Sequence, residues 1–526
     1  MTIENQQLIA GRFEASGKST FAAMDAASGA HLAPEFADAT RDEITAACQA
    51  AESAAENYRA RTLEERAAFL EAIASELEAS AEAFVERTCA ETGLPEARIR
   101  GELGRTTGQL RLFAGVVRAG DFLGVRIDHG DPERQPAPKP DLRQYRIPLG
   151  PVAVFGASNF PLAFSVCGGD TASALGAGCP VVVKAHPGHP GTSALAAAAV
   201  ARAVQASGMP AGVFSMLHGQ ANEVGAALVQ NPAIKAVGFT GSQGGGLALV
   251  RLAAAREEPI PVYAEMGSVN PMFLLPEAVR ARGDSIAKGL AGSFTLGSGQ
   301  FCTSPGLIFM QSGKDLEDFV QTFGEAVSET AASVMLHGGI LSAYEDGRDR
   351  LAEAEGVELI AAGAEAEGRA RPAAYRVTIE HFEKNPALAE EIFGPTTLIV
   401  EVDDVRRFAE IAGSLPGQLT AGIHGEEAEI GDHGPLIEIL QQRAGRVLFN
   451  GFPTGVEVGH AMVHGGPYPA TSDGRTTSVG TLAIDRFLRP VCLQDAPATA
   501  LPEAVQESNP LGLRRLVDGT WQGPAN

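Results

Sequence analysis

One cysteine of this sequence lies in a short glycine-rich segment that suits covalent chemistry. The segment Gly297–Pro305 has the sequence GSGQFCTSP. Its glycines allow a tight backbone turn before Cys302, and Pro305 prevents a helix from continuing through it. Small and hydroxyl-bearing neighbours leave the sulfur accessible, which favours a nucleophilic thiolate. For a lone cysteine, however, a buried structural thiol is the commoner state, so other residues must decide.

Two side chains elsewhere can complete the chemistry of such a cysteine. Asn159 follows an apolar strand in the segment GASNFP, where its amide can donate a hydrogen bond to an oxyanion. Glu265 ends another apolar strand in the segment AEMG, and apolar surroundings raise the pKa of a carboxyl group and suit a general base. Taken singly, an asparagine in a turn and a salt-bridged carboxylate are the simpler interpretations.

Three further features suit a nucleotide. The turn FTGSQGGG follows a predicted strand and opens a helix, so its N–H groups and the Ser242 hydroxyl can face a pyrophosphate. Lys184 ends a strand, where it can reach a ribose hydroxyl, and Glu391 precedes a Gly-Pro turn, where it can bind sugar hydroxyls. A glycine-rich helix start, a solvated lysine and an acidic helix end remain the alternatives.

A strand–helix order from Pro151 onward provides the elements that would position these residues. Parallel strands buried on both faces are predicted at the apolar runs Val152–Phe155, Val181–Val183, Val213–Leu217 and Ala236–Phe239. Helices are predicted at the Ala- and Gly-rich segments Thr171–Ala177, Ser193–Ala206 and Ala221–Val229. The predicted fold class is therefore α/β with a doubly wound sheet, and ligands are expected at the carboxyl ends of its strands.

Before this region, helices dominate. Two capping boxes, Thr40-x-x-Glu43 and Thr62-x-x-Glu65, open helices, and a third helix begins near Pro95. The second helix carries Phe69, Leu70, Ile73 and Leu77 at helical spacing. A short hairpin is predicted from Leu8–Phe13 and Phe21–Asp25.

Strand-like segments also flank the proline-rich linker Pro132–Pro140 and occur late in the chain. Leu123–Ile127 and Leu142–Ile147 predict a long ribbon that cannot bury itself and is expected to contact another subunit. A second mixed region runs from Ile260 to about Gly459, with a strand at Leu398–Val402, and the segment from Thr481 is again strand-like.

Composition limits the possible functions. A chain of 526 residues predicts two or three domains, and a formal net charge of −23 argues against binding to nucleic acid or to an anionic membrane. The six cysteines are dispersed and fit neither a zinc site nor a disulfide framework. No secretory signal and no bilayer-spanning run is recognisable, so a cytoplasmic protein with reduced thiols is expected.

Together these residues resemble the aldehyde dehydrogenase superfamily over nearly the whole chain. The motifs, in family order, are Asn159-Phe-Pro, the strand-end Lys184, Phe239-Thr-Gly-Ser, Glu265-Met-Gly, Gly299-Gln-x-Cys302 and Glu391-Ile-Phe-Gly-Pro. Each motif is modest, but the set is highly specific. Longer stretches are most similar to one branch, the bacterial α-ketoglutarate semialdehyde (2,5-dioxovalerate) dehydrogenases, through FGASNFPLAFS, VKAHP and GQFCT.

The resemblance implies a role for each residue. The Cys302 thiolate attacks the aldehyde carbon, the Asn159 amide and the Cys302 backbone N–H stabilise the oxyanion, and Glu265 activates the water that hydrolyses the thioester. The implied coenzyme, NADP or NAD, would contact Lys184, Gly241, Ser242, Gly246, Glu391 and Phe393. On the substrate side lie Phe160 and Phe164, and Arg105 is a candidate anchor for a substrate carboxylate.

Two departures from the family pattern bear on specificity. Many NAD-preferring members carry a glutamate three residues after the strand-end lysine, where it binds the adenosine 2′-hydroxyl, whereas this chain has Pro187. The missing carboxylate favours NADP, although no nearby arginine is obvious for a 2′-phosphate. Many relatives also carry Pro-Phe-Gly-Gly before the C-terminal strand, whereas this chain has HGGPYP from His464, so the aldehyde pocket is expected to be specific to the branch.

The resemblance also implies an architecture. A Rossmann-type NAD(P)-binding domain is predicted at 1–122 and 148–262, a catalytic domain at 263–480, and an oligomerisation ribbon with the C-terminal segment at 123–147 and 481–526. Either a homodimer or a homotetramer is expected.

Other functions stay open at this point. They are oxidation of a fatty aldehyde or of succinate or glutarate semialdehyde, coenzyme A-acylating oxidation, and a non-catalytic binding protein. A cysteine protease would need a histidine base, and no motif connects His460 or His464 to Cys302.

Overall fold

The computed structural model describes residues 2–523, so Met1 and the end of the predicted 481–526 segment lie outside the described residues. The strands are β1 (Gln7–Ile9), β2 (Arg12–Glu14), β3 (Thr20–Met24), β4 (His31–Ala37), β5 (Arg126–Asp128), β6 (Leu142–Pro148), β7 (Val152–Phe155), β8 (Val181–Lys184), β9 (Phe214–Leu217), β10 (Ala236–Thr240), β11 (Val262–Glu265), β12 (Met272–Leu274), β13 (Leu307–Gln311), β14 (Glu358–Ala362), β15 (Ala373–Thr378), β16 (Thr396–Val402), β17 (Gln418–His424), β18 (Ala444–Phe449), β19 (Leu488–Gln494), β20 (Arg515–Val517) and β21 (Thr520–Gln522). The helices are α1 (Arg41–Arg59), α2 (Leu63–Glu78), α3 (Ala81–Thr92), α4 (Glu96–Ala119), α5 (Gly169–Ala177), α6 (Pro190–Ala206), α7 (Asn222–Gln230), α8 (Gln243–Ala254), α9 (Pro276–Thr295), α10 (Lys314–Ser328), α11 (Gly338–Ala352), α12 (Ile379–Lys384), α13 (Phe408–Ser414), α14 (Glu427–Asp432) and α15 (Gly434–Arg443).

The first sheet has seven strands in the order β11-β10-β7-β8-β9-β1-β2. Strands β7 to β11 are parallel within it, and every residue of β7 and β9 is buried, as the uninterrupted apolar runs predicted. The doubly wound α/β prediction is confirmed. Register places Lys184 beside Phe155 and Thr240 beside Glu265, so the carboxyl ends of these strands form one edge.

Helices α1 and α2 begin where the capping signals predicted, and α1 contacts strands β1, β8 and β9 of this sheet. The Thr40 and Thr62 hydroxyls each accept a hydrogen bond from the backbone N–H three residues on, and Glu43 and Glu65 bond back to complete both capping boxes. The apolar face of α2 is fully buried. Helix α3 was not predicted from the sequence, and its N-cap, Ser80, makes no side-chain capping bond.

The second sheet has the order β14-β15-β16-β13-β12-β17-β18 and is parallel except for β14. Its core is mainly aliphatic, but it includes Phe273 stacked on Phe309 with ring centroids 4.9 Å apart. Between α9 and β13 the chain passes through residues 296–306, which carry Cys302. This loop is therefore attached to the second sheet, through β13, and it faces the first sheet.

The N-terminal hairpin was wrongly predicted. Strand β1 pairs with β2, and β3 pairs with β4, so Leu8–Phe13 and Phe21–Asp25 belong to different hairpins. The reason is a two-residue turn at Ala10-Gly11, where both residues have positive φ (47° and 80°), the geometry that closes tight hairpins.

The predicted ribbon is part of a third sheet, in the order β19-β6-β5-β20-β21. The strand predicted from Leu123 begins only at Arg126, as β5, because Asp121–Leu123 form a 3₁₀ turn. The segment predicted to be extended from Thr481 is also a 3₁₀ helix as far as Phe487, and the strand β19 follows it. Val125 and Ile127 pack on Val505 and Leu513 of the C-terminal segment. The ribbon thus buries one face within its own chain, contrary to the expectation that it could not.

Within residues 2–523, none of the helices combines the length and apolar character that crossing a bilayer requires.

Candidate active site

The loop before Cys302 is held in an unusual backbone conformation. Gly297, Ser298 and Gly299 have successive φ values of 56°, 61° and 65°, in the left-handed region that favours glycine. A Cβ on Gly299 would lie 2.3 Å from the Gly394 carbonyl carbon, so only glycine fits there. Ser298 adopts this conformation with its hydroxyl 2.7 Å from that of Ser333. The expected tight turn is confirmed, and it directs the following residue toward the first sheet.

Asn270 fixes the backbone on the other side of Cys302. Its Nδ2 donates to the carbonyl oxygens of Cys302 and Ser304, both at 2.9 Å, and its Oδ1 accepts from Thr420 at 2.8 Å. Asn270 is fully buried and has a φ of 48°. Asn270 was not predicted as a site residue, although it lies in the segment SVNP, only five residues after Glu265.

Cys302, His464 and Glu265 form one contiguous cluster. The Cys302 Sγ lies 3.4 Å from His464 Nε2, which lies 2.9 Å from Glu265 Oε1. Ser478 donates its hydroxyl to Glu265 Oε2 at 2.6 Å. The structure therefore brings together the predicted nucleophile and base, and adds a histidine and a serine that the sequence analysis had not connected to them.

The segment after residue 463 reaches this cluster by running back along β11. The Met266 N–H donates to the Ala470 carbonyl at 2.8 Å, and Glu265 forms an isolated bridge with Thr471. The glycines after His464 permit this path, because a Cβ on Gly465 would lie 2.6 Å from the Thr476 carbonyl oxygen. The only signal for His464 in the sequence was the stretch HGGPYP, which differs from the Pro-Phe-Gly-Gly that many relatives carry before the C-terminal strand.

Protonation in the cluster differs from the sequence-based expectation. Burial opposes ionisation of Glu265, but His464 and the Ser478 hydroxyl outweigh it and hold the pKa of Glu265 below its ordinary value. The expectation of a raised pKa from apolar surroundings is therefore wrong. Burial and the negative charge of Glu265 raise the pKa of Cys302 well above its ordinary value, so the resting sulfur is a thiol.

The His464 ring is oriented by only one of its nitrogens. Its Nδ1 is buried and has no hydrogen-bond partner among residues 2–523. The proton that bonds Glu265 is therefore on Nε2. Nε2–H donates to the Glu265 carboxylate at rest and can donate to a Cys302 thiolate instead.

Asn159 lies at the entrance to the cysteine. Its Nδ2 donates to the Gln300 carbonyl at 3.1 Å, which leaves the second N–H of the amide for another acceptor. Within the described chain, the backbone N–H of Cys302 makes no hydrogen bond. Two donors near one sulfur are the arrangement that stabilises a tetrahedral oxyanion.

Three aromatic rings line the approach to Cys302. Phe160 contacts Phe164 and Phe301 with centroids 5.1 and 5.4 Å apart, and Phe164 lies 6.2 Å from the His464 ring. The Arg98 guanidinium lies 4.4 Å from the Phe160 ring centroid, and that of Arg105 lies 5.3 Å from that of Phe164. Apolar walls and two cations thus surround the space in front of the sulfur.

Arg105 differs from an ordinary surface arginine. Its Nε and Nη2 are buried without a hydrogen-bond partner among the described residues, whereas Arg98 is paired with Glu102 at 3.4 Å. Burial lowers the pKa of Arg105, although Glu102 and Cys302 partly oppose that shift. Buried guanidinium donors that lack a protein partner are suited to bind an anion.

Comparison with known proteins decides the family. The model of the "Aldehyde dehydrogenase family" matches residues 13–476. The chain belongs to the aldehyde dehydrogenase family. It is 53% identical over 522 residues to α-ketoglutaric semialdehyde dehydrogenase 2 of Azospirillum brasilense, covering 99% of both chains, and 47% identical over 517 residues to α-ketoglutaric semialdehyde dehydrogenase of Acinetobacter baylyi, covering 98% of both. It has the fold of the NAD⁺ complex of the Bacillus cereus aldehyde dehydrogenase, with a TM-score of 0.80 at 23% identity over 93% of this chain and 96% of the other.

Aldehyde dehydrogenases are oxidoreductases that use NAD or NADP, and the edge of the first sheet suits such a coenzyme. Helix α8 starts at this edge with Ser242 as its N-cap, and Gly241 precedes it. A Cβ on Gly246 would lie 2.8 Å from Met266, so glycine lets the helix start pack closely on the sheet. The free N–H groups there suit a pyrophosphate. Burial lowers the pKa of the nearby Lys184 to about 8.

Glu391 and Phe393 line a crevice that also contacts Ser268 and Phe301. A Cβ on Gly267 would lie 2.2 Å from the Glu391 carboxylate, so the carboxylate lies against this backbone. The Glu391 side chain keeps access to solvent, but the crevice walls displace much of its hydration and raise its pKa to about 7. The Glu391 carboxylate is suited to accept a hydrogen bond from a sugar hydroxyl.

Proposed function

We propose that this enzyme oxidises α-ketoglutarate semialdehyde (2,5-dioxopentanoate) to 2-oxoglutarate, using NAD or NADP with NADP favoured. The similarity to two α-ketoglutaric semialdehyde dehydrogenases over 98% of the chain or more carries the proposal. The free donors of Arg105 support it independently, because this aldehyde ends in a carboxylate that needs a cationic partner.

We assign the first covalent step to Cys302. Its thiol proton passes to the Glu265 carboxylate, and His464 Nε2–H then donates to the thiolate in place of Glu265. The sulfur attacks the aldehyde carbon, and the new oxyanion accepts hydrogen bonds from the free Asn159 N–H and the Cys302 backbone N–H. The coenzyme, when bound, would accept the hydride that leaves the thiohemiacetal carbon, and that carbon becomes the carbonyl carbon of a thioester.

Glu265 then takes part in the second step. Once its proton has been returned to solvent, the carboxylate accepts a proton from a water that attacks the thioester carbon, and the C–S bond breaks to release the acid. The hydrogen bonds from His464 and Ser478 keep Glu265 ionised, which this step requires. A thioester transfer to coenzyme A would not require a buried carboxylate beside the sulfur.

We place the far carboxylate of the substrate at Arg105. The Arg105 guanidinium lies 5.7 Å from the Phe160 ring centroid and 5.3 Å from the Phe164 ring centroid, so the cation borders the aromatic approach to the sulfur. The carbon chain of the semialdehyde would then lie along these rings. A long-chain aldehyde has no group for Arg105, which is why a semialdehyde is favoured over a fatty aldehyde.

We propose NADP as the better coenzyme because the chain lacks a carboxylate at the position that would face the 2′-phosphate. Pro187 occupies it and lines a cavity with His186 and His337. Neither proline nor a neutral imidazole repels a phosphate as a glutamate would. The kcat/KM ratio for the two coenzymes tests this point, and a strong preference for NAD would contradict it.

A panel of aldehydes tests the substrate. We expect the highest kcat/KM for α-ketoglutarate semialdehyde, lower values for succinate and glutarate semialdehydes, and the lowest for long-chain aldehydes. Cys302→Ala should abolish oxidation of all of them. A preference for long-chain aldehydes, or acid formation that depends on coenzyme A, would favour the alternative functions.

For the assembly, we propose a cytoplasmic homodimer or homotetramer that uses the third sheet as its oligomerisation element. We propose that the chain is divided into a coenzyme domain (1–122 and 148–262), a catalytic domain (263–480) and an oligomerisation ribbon with the C-terminal segment (123–147 and 481–526). Trp521, which is 53% exposed on β21, supports an interface at this sheet. Light scattering measures the oligomeric state of the protein in solution, and a monomer would contradict this proposal.

A further inference from the structure

The sulfur, imidazole and carboxylate of the active site are also a set of metal ligands. We propose that Cys302, His464 and Glu265 form a binding site for one Zn²⁺ ion, and that Zn²⁺ there blocks the dehydrogenase reversibly. The inference concerns the unliganded enzyme and does not depend on which aldehyde it oxidises.

The geometry of the three donors suits zinc. Cys302 Sγ, His464 Nε2 and a Glu265 carboxylate oxygen all lie within 4.8 Å of one another. Tetrahedral zinc with its usual bond lengths to sulfur, nitrogen and oxygen requires an S···N separation of about 3.6 Å and an N···O separation of about 3.3 Å. The observed separations are 3.4 Å and 2.9 Å. These two separations therefore need to widen by only a few tenths of an ångström to match the zinc geometry.

The charges of the site also favour a divalent cation. The Cys302 sulfur and a Glu265 carboxylate oxygen lie in one compact cluster, so a thiolate and a carboxylate there would repel each other unless a cation lay between them. Zn²⁺ replaces the thiol proton, which leaves to solvent, and its two positive charges equal the two negative charges of the ligands. With a neutral imidazole, the loaded site carries no net charge, so burial opposes it little.

One further feature opposes metal binding and another supports it. His464 must give up its Nε2 proton to bind the metal, and that proton moves to Nδ1, where its lack of a partner within residues 2–523 costs part of the binding free energy. The Ser478 hydroxyl keeps its bond to the other Glu265 oxygen and orients the carboxylate, as outer ligands of zinc commonly do. Three protein ligands leave a fourth position for water. The metal therefore occupies the place of the aldehyde carbon and prevents attack by the sulfur.

Cobalt substitution tests the proposal directly. The full-length enzyme, reduced and free of metal, is titrated with CoCl₂ without aldehyde or coenzyme, and the absorption spectrum is recorded. We expect one Co²⁺ per chain, a thiolate-to-cobalt charge-transfer band and the d–d bands of tetrahedral cobalt. ZnCl₂ should displace the Co²⁺, and the loss of activity caused by ZnCl₂ should be reversed by EDTA.

Matched variants identify the ligands. Cys302→Ser and wild-type enzyme alkylated with iodoacetamide should both lack the charge-transfer band, and His464→Asn should bind Co²⁺ at least tenfold more weakly. Cys492→Ser and His460→Asn alter an exposed cysteine and an exposed histidine and should leave the spectrum unchanged. The alkylated wild type keeps the comparison valid if Cys302→Ser fails to fold.

Three results would overturn the site: no charge-transfer band in the wild type, a band that survives alkylation of Cys302, or equal Co²⁺ affinity in His464→Asn. Because binding is measured without substrate, each of these results leaves the aldehyde panel unaffected. Conversely, a different best substrate in that panel leaves the metal titration unaffected.

Discussion

Replacement of Arg105 by methionine gives the sharpest test of the substrate assignment. Two buried guanidinium donors, Nε and Nη2, are free to bind the substrate carboxylate. A hydrogen bond to a charged partner contributes about 1.5–3 kcal/mol, so losing two removes at least about 3 kcal/mol of binding to a carboxylate. Since about 1.4 kcal/mol corresponds to a factor of ten, kcat/KM for the semialdehyde should fall by at least about 10²-fold.

The same substitution should have a different effect on stability. Methionine keeps much of the side chain's volume beside Phe160 and Phe164, and it removes buried donors that have no partner among the described residues. An unsatisfied buried polar group costs about 1–3 kcal/mol, so the melting temperature should stay the same or rise. This combination, lower activity with unchanged or higher stability, distinguishes a binding arginine from a structural one.

The assay compares two aldehydes of equal length. Steady-state kcat/KM is measured for α-ketoglutarate semialdehyde and for pentanal, with wild type, Arg105→Met and the control Arg98→Met, whose guanidinium is already paired with Glu102. Arg105→Met should reduce only the semialdehyde value, leaving pentanal within about threefold, because pentanal has no carboxylate. Equal losses for both aldehydes, or an unchanged semialdehyde value, would refute the reasoning.

Three further predictions concern the coenzyme and the oxyanion. Below pH 7 the Glu391 carboxylate takes up a proton and becomes a weaker acceptor for a ribose hydroxyl, and above pH 8 Lys184 loses its charge, so kcat/KM for the coenzyme should fall on both sides. Glu391→Gln should remove the acidic limb, and an acidic limb that persists in this variant would argue against Glu391. Pro187→Glu should lower kcat/KM for NADP by more than tenfold while sparing NAD, and equal effects on both would exclude 187 as the discriminating position. Asn159→Ala should lower kcat by about 10²–10³ with little change in KM, whereas an effect confined to KM would contradict an oxyanion role.

The coenzyme sheet could be predicted because its signals are local. Runs such as Val152–Phe155 are apolar without alternation, and such runs specify strands covered on both faces wherever they occur. Capping boxes such as that of Thr40 involve residues three apart, so their geometry depends little on the rest of the fold. The N-terminal hairpins were missed because the decisive signal was a two-residue turn at Ala10-Gly11 rather than the strands themselves.

The sequence by itself determined the strand and helix pattern, the tight turn before Cys302 and, through its resemblance, the aldehyde dehydrogenase family. Only the tertiary structure decided what surrounds the sulfur. His464 is 162 residues from Cys302 in the chain, and its contact depends on the segment that runs back along β11. The pKa of Glu265 and the lack of partners for Arg105 likewise depend on which groups the fold brings within a few ångströms, a property that residue spacing along the chain does not encode.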